Sequence, residues 1–409
     1  MALTPLAEAL KQLLGRVPMP PDREQVPLTL ALWRVLACDI TATVAVPPFD
    51  NSAMDGYALR AKDVPGELVV SQRIPAGVPA AALEVGSAAR IFTGAPIPEG
   101  ADTVVMQEDA LEQNNLVSVL GCVTPGAHIR RRGADIAQGS TILHRGRVLA
   151  PQDIGLIASV GHAEVSVYKR LRVAILTTGD ELVEPGAQPE PWQIFNSNAT
   201  QLATQLTALG CEVIESTLAP DCPRVIGDAL ERMAAIADCI VTCGGVSVGE
   251  EDHVRAQIEA RGRLDLWKLA IKPGKPLAFG EVQGCPIFGL PGNPVSAWVT
   301  FALVVKPWLL RAQGATGLKR VVMMAQAQFD VKRPSNRQEY LRVTLTQEYC
   351  PASGSWKLKA VPTRDQSSGV LSGVSEADAL AVVPLGATVA MGDPIEVLPI
   401  NALLSPLSA

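Results

Sequence analysis

The segment "IKPGKPLAFG" sets Lys272 and Lys275 on either side of a Pro-Gly turn, with Lys268 four residues before the first of them. A Pro-Gly turn folds the chain tightly, so two ammonium groups are able to converge on one small anion; a solvated charged loop has the same composition. "GLPGNPVSAWVTFALVV" adds a second feature. Asn293 is placed to cap a helix and Pro294 suits its first turn. That helix is apolar nearly all round and therefore buried. Its N-terminus, with Ser296 beside it, favours an oxyanion, although for Ser296 taken alone an ordinary capped core helix is the favoured reading. "TCGGVSVGEEDHV" offers Gly244 and Gly245 for close backbone approach to a phosphate or pterin, and Glu250, Glu251 and Asp252 as hard oxygen donors of the kind Mg²⁺ prefers. "TTGDEL" supplies Asp180 and Glu181 in the same way. "IRRRGADI" clusters Arg130, Arg131 and Arg132 beside Asp135, either a solvated face or a lure for an anionic substrate. The four histidines are scattered, and no Ser/His/Asp relay assembles from them.

The elements that must position these groups fall into contrasting stretches. "RVAILTTGDEL", "DCIVTCGGVSVG", "LWKLAIKPG" and "CPIFGLPG" are buried runs ending in glycine-rich loops, separated by helix candidates "NSNATQLATQLTALG" and "VIGDALERMAAIA". In the first helix Asn198 is a plausible cap, and Leu202, Leu206 and Leu209 share a face. Apolar runs alternating with helices predict a mostly parallel sheet covered on both faces, with ligands at the carboxyl ends of its strands. Before it, residues 45–132 are rich in short strands and turns, and read as a β-rich insertion into a helical and extended module made of residues 1–44 and 133–168. Helices are expected over the start of "MALTPLAEALKQLLGRV", over "LTLALWRVLACDI" and at "DIGLIASVG". Residues 169–317 form the α/β domain, and residues 318–409 a small C-terminal β-barrel.

Composition narrows the function. The 409 residues carry a net charge of −6, against broad nucleic-acid binding. The eight cysteines form no CxxC pair, which disfavours zinc and suits reduced thiols in the cytoplasm. No run of 18 or more uninterrupted apolar residues occurs, so no membrane span is expected. The residues alone thus describe a multidomain α/β enzyme that binds a phosphorylated or oxyanionic ligand.

"PPFDNSAMDGYALR", "RIFTGAPIPEGADTVVMQE", "RRRGADI", "TTGDEL", "GGVSVGEEDHV", "WKLAIKPGKPLAFG" and "GLPGNPVSA" occur in this order, and together the chain resembles the MoeA family of molybdopterin molybdenumtransferases, whose eukaryotic relatives include the E domain of gephyrin. The resemblance implies molybdenum-cofactor biosynthesis: molybdate and adenylylated molybdopterin as substrates, AMP release and Mg²⁺ assistance. It also implies a homodimer whose active site lies between the α/β domain of one subunit and the β insertion of the other. Transient contacts with molybdopterin adenylyltransferase and molybdoenzyme maturation factors follow from the same pathway. By position, the resemblance assigns catalytic roles to Asp55, Thr93, Glu181, Asp221, Asp252, Lys268 and Lys272. It assigns molybdate or substrate contacts to Lys272, Lys275, Ser296, Arg342, Ser368, Asp135, Gly244 and Gly245, and the metal to Glu181 and Asp252. Arg337 and Ser367 compete with Arg342 and Ser368, because the family's Gly-Ser reads Ser367-Ser368 here. Two other readings remain: an adenylyltransferase built on the same α/β domain, which the flanking modules and the SAMDGY motif disfavour, and a non-catalytic scaffold, which the retained acids and lysines disfavour.

Overall fold

A computed structural model describes residues 3–245, 253–351 and 354–408. At its centre a seven-stranded sheet runs in the order Leu3–Thr4, Gly262–Leu269, Pro276–Val282, Cys285–Leu290, Cys239–Cys243, Arg172–Thr178 and Glu212–Ala219. The last four strands are mutually parallel. Successive residues of the Arg172–Thr178 strand enter opposite cores: Val173 and Ile175 meet one layer, Ala174 and Leu176 the other. A continuous apolar run is therefore required, as in any sheet buried on both faces. Helix Ser197–Ala208 covers the first face through Leu202 and Leu206, both fully buried and together stabilising by about 4 kcal/mol. Helices Pro223–Ile236 and His253–Arg261 cover the second.

The helical stretch Pro294–Ala312, which includes a π-helical segment Phe301–Val305, is long and apolar enough to cross a membrane, but 89% of it is buried inside the protein as a core helix. Burial there is deep enough to enclose Lys306, whose Nζ donates to the Ala402 carbonyl 2.9 Å away; desolvation pushes this lysine down to about 8.

The β insertion is a six-stranded sheet ordered Thr103–Met106, Gly56–Leu59, Ser87–Ile91, Glu67–Ile74, Leu116–Val119 and Ala110–Gln113. Strand Arg23–Pro27 pairs with Glu164–Tyr168, and Ile40–Thr41 with Thr141–Leu143, so segments on both sides of the insertion are stitched together below it. The C-terminal strands close on themselves through an extra pairing of Gln338–Cys350 with Ala379–Val383, completing a barrel.

Three expectations change. Residues 28–40 do not form a helix. Only a 3₁₀ turn, Leu28–Leu30, appears, because Val35 and Leu36 are drawn into bridges with Val148 and Val167. Tertiary pairing overrides the helical spacing of the leucines. Leu3–Thr4 joins the edge of the central sheet beside Lys268 and Leu269, and the Leu6–Leu14 helix packs its Leu6, Ala9 and Leu13 into the α/β core. Finally, the lysine segment does not follow a parallel strand: it connects the antiparallel strands Gly262–Leu269 and Pro276–Val282.

Candidate active site

At the carboxyl ends of strands Arg172–Thr178, Cys239–Cys243 and Cys285–Leu290 lies a cleft of about 1130 Å³. Its position follows the rule for open parallel sheets. Lys272 and Lys275 stand exposed on one wall. The turn between them is fixed by Gly274, whose φ is +107° and where a Cβ would lie 2.4 Å from the Thr300 hydroxyl. Only glycine satisfies both the backbone angle and the close approach. The Leu269 N–H donates to the Lys275 carbonyl at 2.7 Å and closes the loop. Lys268 is held apart from the two cleft lysines, paired in the sheet opposite Pro276, and does not line the cleft.

Gly244 and Gly245 form the floor, both with positive φ. A Cβ on Gly245 would come within 2.6 Å of the Val254 side chain. Glu181 reaches the cleft from the loop after Thr178. Asp221 lies behind it, its N–H donating to Asp180 Oδ1 at 3.1 Å. Burial pushes the Asp221 carboxyl up, with repulsion from Asp180 and Glu181 adding to the effect. Asp180, Glu181 and Asp221 thus bring three carboxyl groups near one another, a donor chemistry suited to a divalent cation. No group of three His, Cys, Asp or Glu side chains is arranged to hold a metal among the described residues. Asp252, expected as the second metal ligand, lies outside the described residues, with Glu250 and Glu251.

The barrel supplies the opposite wall. Ser367, Ser368 and Arg337 all line the cleft. The Ser368 carbonyl accepts the Val295 N–H at 3.1 Å, so the barrel loop docks on the first turn of the Pro294–Ala312 helix and takes one of its free donors. Ser296, one residue on, lines the cleft.

Arg342 behaves differently from the expectation. It is fully buried and does not line the cleft. Its Nη2 donates to the carbonyls of Asp365 at 2.9 Å and Ser367 at 3.1 Å, and desolvation pushes its guanidinium down. Arg342 braces the serine loop from behind, and Arg337 is the arginine of the two that lines the cleft. The spacing of the two arginines alone did not distinguish them, because the loop that covers Arg342 returns from residues 363–369.

Other groups went unread in the sequence. Thr178 Oγ1 and Asn198 Oδ1 are buried at the cleft without a protein partner. Asn198 was expected as a helix cap; Asn196 takes that role, accepting the Ala199 N–H, while Asn198 Nδ2 donates to the Gly292 carbonyl at 2.7 Å. Ile194 and Phe195 give the cleft an exposed apolar rim. Cys243 also lines it, but burial pushes its thiol up to about 12, so it is no thiolate nucleophile at neutral pH.

Asp55, Thr93 and Asp135 are absent from the cleft lining. Asp55 Oδ1 accepts both the N–H and the hydroxyl of Thr93, each at 2.8 Å, and the N–H bond above all holds its carboxyl below the usual range. The arginine triplet braces this loop. Asp50 receives Arg131 Nη1 at 2.6 Å and the Arg132 N–H at 2.8 Å, and Arg130 pairs with Asn51. Gly56 is obligatory, since a Cβ there would lie 1.9 Å from the Val105 carbonyl oxygen. Asp135 is exposed, its N–H donating to the Val46 carbonyl.

Comparison with known proteins matches three family models in chain order: the MoeA N-terminal region (domain I and II) over residues 4–161, a probable molybdopterin binding domain over 174–311, and the MoeA C-terminal region (domain IV) over 324–400. The molybdopterin molybdenumtransferase of Haemophilus influenzae is 41% identical over 342 residues, covering 82% of this chain and 85% of its own length. The chain belongs to the MoeA family. A second family member, the molybdopterin molybdenumtransferase of Synechococcus elongatus, is 37% identical across 95% of this chain and 98% of that protein. The MoeA crystal structure from Pyrococcus horikoshii superposes with a TM-score of 0.81 at 30% identity, covering 97% of this chain and all of that one. Helical and extended module, β insertion, α/β domain and closed barrel together are the MoeA architecture.

Proposed function

We propose that this chain is a molybdopterin molybdenumtransferase of molybdenum-cofactor biosynthesis, inserting molybdenum from molybdate into adenylylated molybdopterin with release of AMP. The observation that carries the reading is the meeting of Lys272, Lys275, Arg337, Ser296 and Ser368 on one cleft in a chain of this family. Molybdate is a dianion, and fixed cationic donors hold it better than neutral ones. The glycine floor leaves backbone open to phosphate, and the Ile194–Phe195 rim suits the flat pterin. The dithiolene sulfurs of the substrate receive the metal, so no protein nucleophile is called for. Magnesium would supply charge neutralisation at the phosphoanhydride. Glu181 and Asp252 would hold it, with Asp180 and Asp221 setting the negative field around it.

The second half of the proposal is a homodimer. Asp55 and Thr93 form a finished, exposed pair away from their own chain's cleft, and Phe49 and Met54 are exposed on the same loop, 45% and 41%. That surface supports a role in completing the partner's cleft. Seven of the cysteines are unpaired, in keeping with a reducing, cytoplasmic site of action. Transient contacts with the adenylyltransferase that supplies the substrate and with maturation factors that take the product belong to the same proposal.

Purified protein given adenylylated molybdopterin, Mg²⁺ and molybdate is expected to release AMP only when molybdate is present. AMP release that ignores molybdate points instead to a nucleotide-cleaving enzyme and rejects the reading.

A further inference from the structure

Lys272 borders two cavities. One is the cleft; the other is a shallower groove of about 820 Å³, walled by Asp330, Lys332, Arg333, Asn336 and Glu339. Glu339 lines the groove and not the cleft. Its Oε2 accepts a hydrogen bond from Lys272 Nζ at 3.2 Å. The two side chains differ in freedom: Lys272 is 51% exposed and Glu339 12%. Deeper burial makes the carboxylate the more confined member. Glu339 pairs with Lys272 on one side and Val383 on the other, between two strands. The lysine, on a flexible four-carbon stem, is the member that moves.

We propose that Glu339 is a positioning residue that gates Lys272: paired, it holds the ammonium at the wall between groove and cleft, and an oxyanion in the cleft must draw Lys272 away from it. The inference rests on the oxyanion reading of the cleft. Glu339 competes with the ligand for one cation, so it weakens binding at rest and gives Lys272 a place to return to when the cleft empties. The pair is open on one side only: the ammonium is half-exposed and the carboxylate mostly buried, so the flexible lysine is free to leave for an anion while Glu339 stays in place.

The test is molybdate binding, measured by calorimetry on the full-length protein. Glu339→Gln removes the charge and keeps the shape, and is expected to tighten binding roughly threefold. Glu339→Asp withdraws the carboxylate by one methylene; a smaller gain in the same direction is expected, and it serves if the Gln variant does not fold. In a Lys272→Ala background the gain from Glu339→Gln should vanish, because the cycle isolates the pair. Unchanged or weaker binding in the folded Glu339 variants overturns the gate, as does an equal gain without Lys272. If wild-type protein binds no molybdate, or Lys272→Ala binds it as well, the oxyanion reading itself fails. If Lys272→Ala weakens binding while the Glu339 variants change nothing, only the gate fails.

Discussion

The cleft and the Pro47–Arg60 loop are both dense in polar residues, and they differ in how they are finished. The cleft draws on the loops after three parallel strands, a hairpin connection and two segments of the barrel, and it keeps Thr178 Oγ1 and Asn198 Oδ1 buried without protein partners. The loop's two aspartates are met by the same subunit, Asp55 by Thr93 and Asp50 by Arg131 and Arg132, and Ser52 Oγ donates to the Met54 carbonyl. Asn51 Oδ1 and Arg60 Nη2 are buried there without a protein partner but do not border the cleft. In the cleft the unmet groups border a cavity that a ligand can fill, and in the loop they do not. The braced, exposed carboxylate of Asp55, with Phe49 and Met54 exposed on the same loop, is the surface proposed to meet the partner's cleft. The difference teaches that the two motifs are unlike parts, a binding cavity and a rigid insert.

The largest expected effect separates them by assay. Lys275→Ala should lower molybdate-dependent AMP release by about 100-fold and weaken molybdate binding as well. Asp55→Ala should lower turnover comparably while leaving molybdate binding by the isolated cleft intact. If Asp55→Ala also abolishes molybdate binding, the loop belongs to the cavity and the contrast breaks.

A second pair sharpens the cleft alone. Arg342→Ala should cost roughly 3 kcal/mol in denaturant unfolding, since it opens a cavity and strands two loop carbonyls. Arg337→Ala should leave stability within about 0.5 kcal/mol and weaken molybdate binding instead. The reverse pattern would return the ligand contact to Arg342.

The smaller effect uses a lysine outside both regions. Lys306 has its folded-state value lowered from 10.5 to about 8, so the unfolded chain holds the extra proton between those values. Stability should therefore rise with pH across that window, and the charged lysine should weaken the fold below it. Lys306→Met should be stabilising at pH 7 by about 2 kcal/mol, after allowing for the lost bond to Ala402, and the gain should shrink toward pH 10. Melting curves at pH 7 and pH 10 check this. A lysine so unlike Lys272 and Lys275 shows what a cation costs where no anion is expected.

Much of this was legible in the sequence, because glycine-ended apolar runs and ordered motifs report local physics. The parallel strands, the glycine floor, the lysine turn and the barrel follow from residue types within a few positions. What stayed hidden depends on distant partners. Residues 28–40 have helical spacing, yet bridges from Val35 and Leu36 to residues 148 and 167 keep the segment from forming a helix. Arg342 is buried only because residues 365–367 return over it. Glu339 looks like any strand acid until the parallel pairing sets it beside Lys272. Asp55 reads as a site residue by resemblance, and the single chain leaves it away from the cleft.

The most direct measurement joins the two regions. Asp55→Ala and Lys275→Ala chains, each inactive alone, are co-expressed with different tags, and the mixed dimers are assayed for molybdate-dependent AMP release. In a dimer that shares its sites, each mixed pair holds one intact site, and a statistical mixture should recover about a quarter of wild-type activity. Recovery of none, with mixed dimers shown to form, would contradict the claim that the loop of one chain completes the cleft of the other.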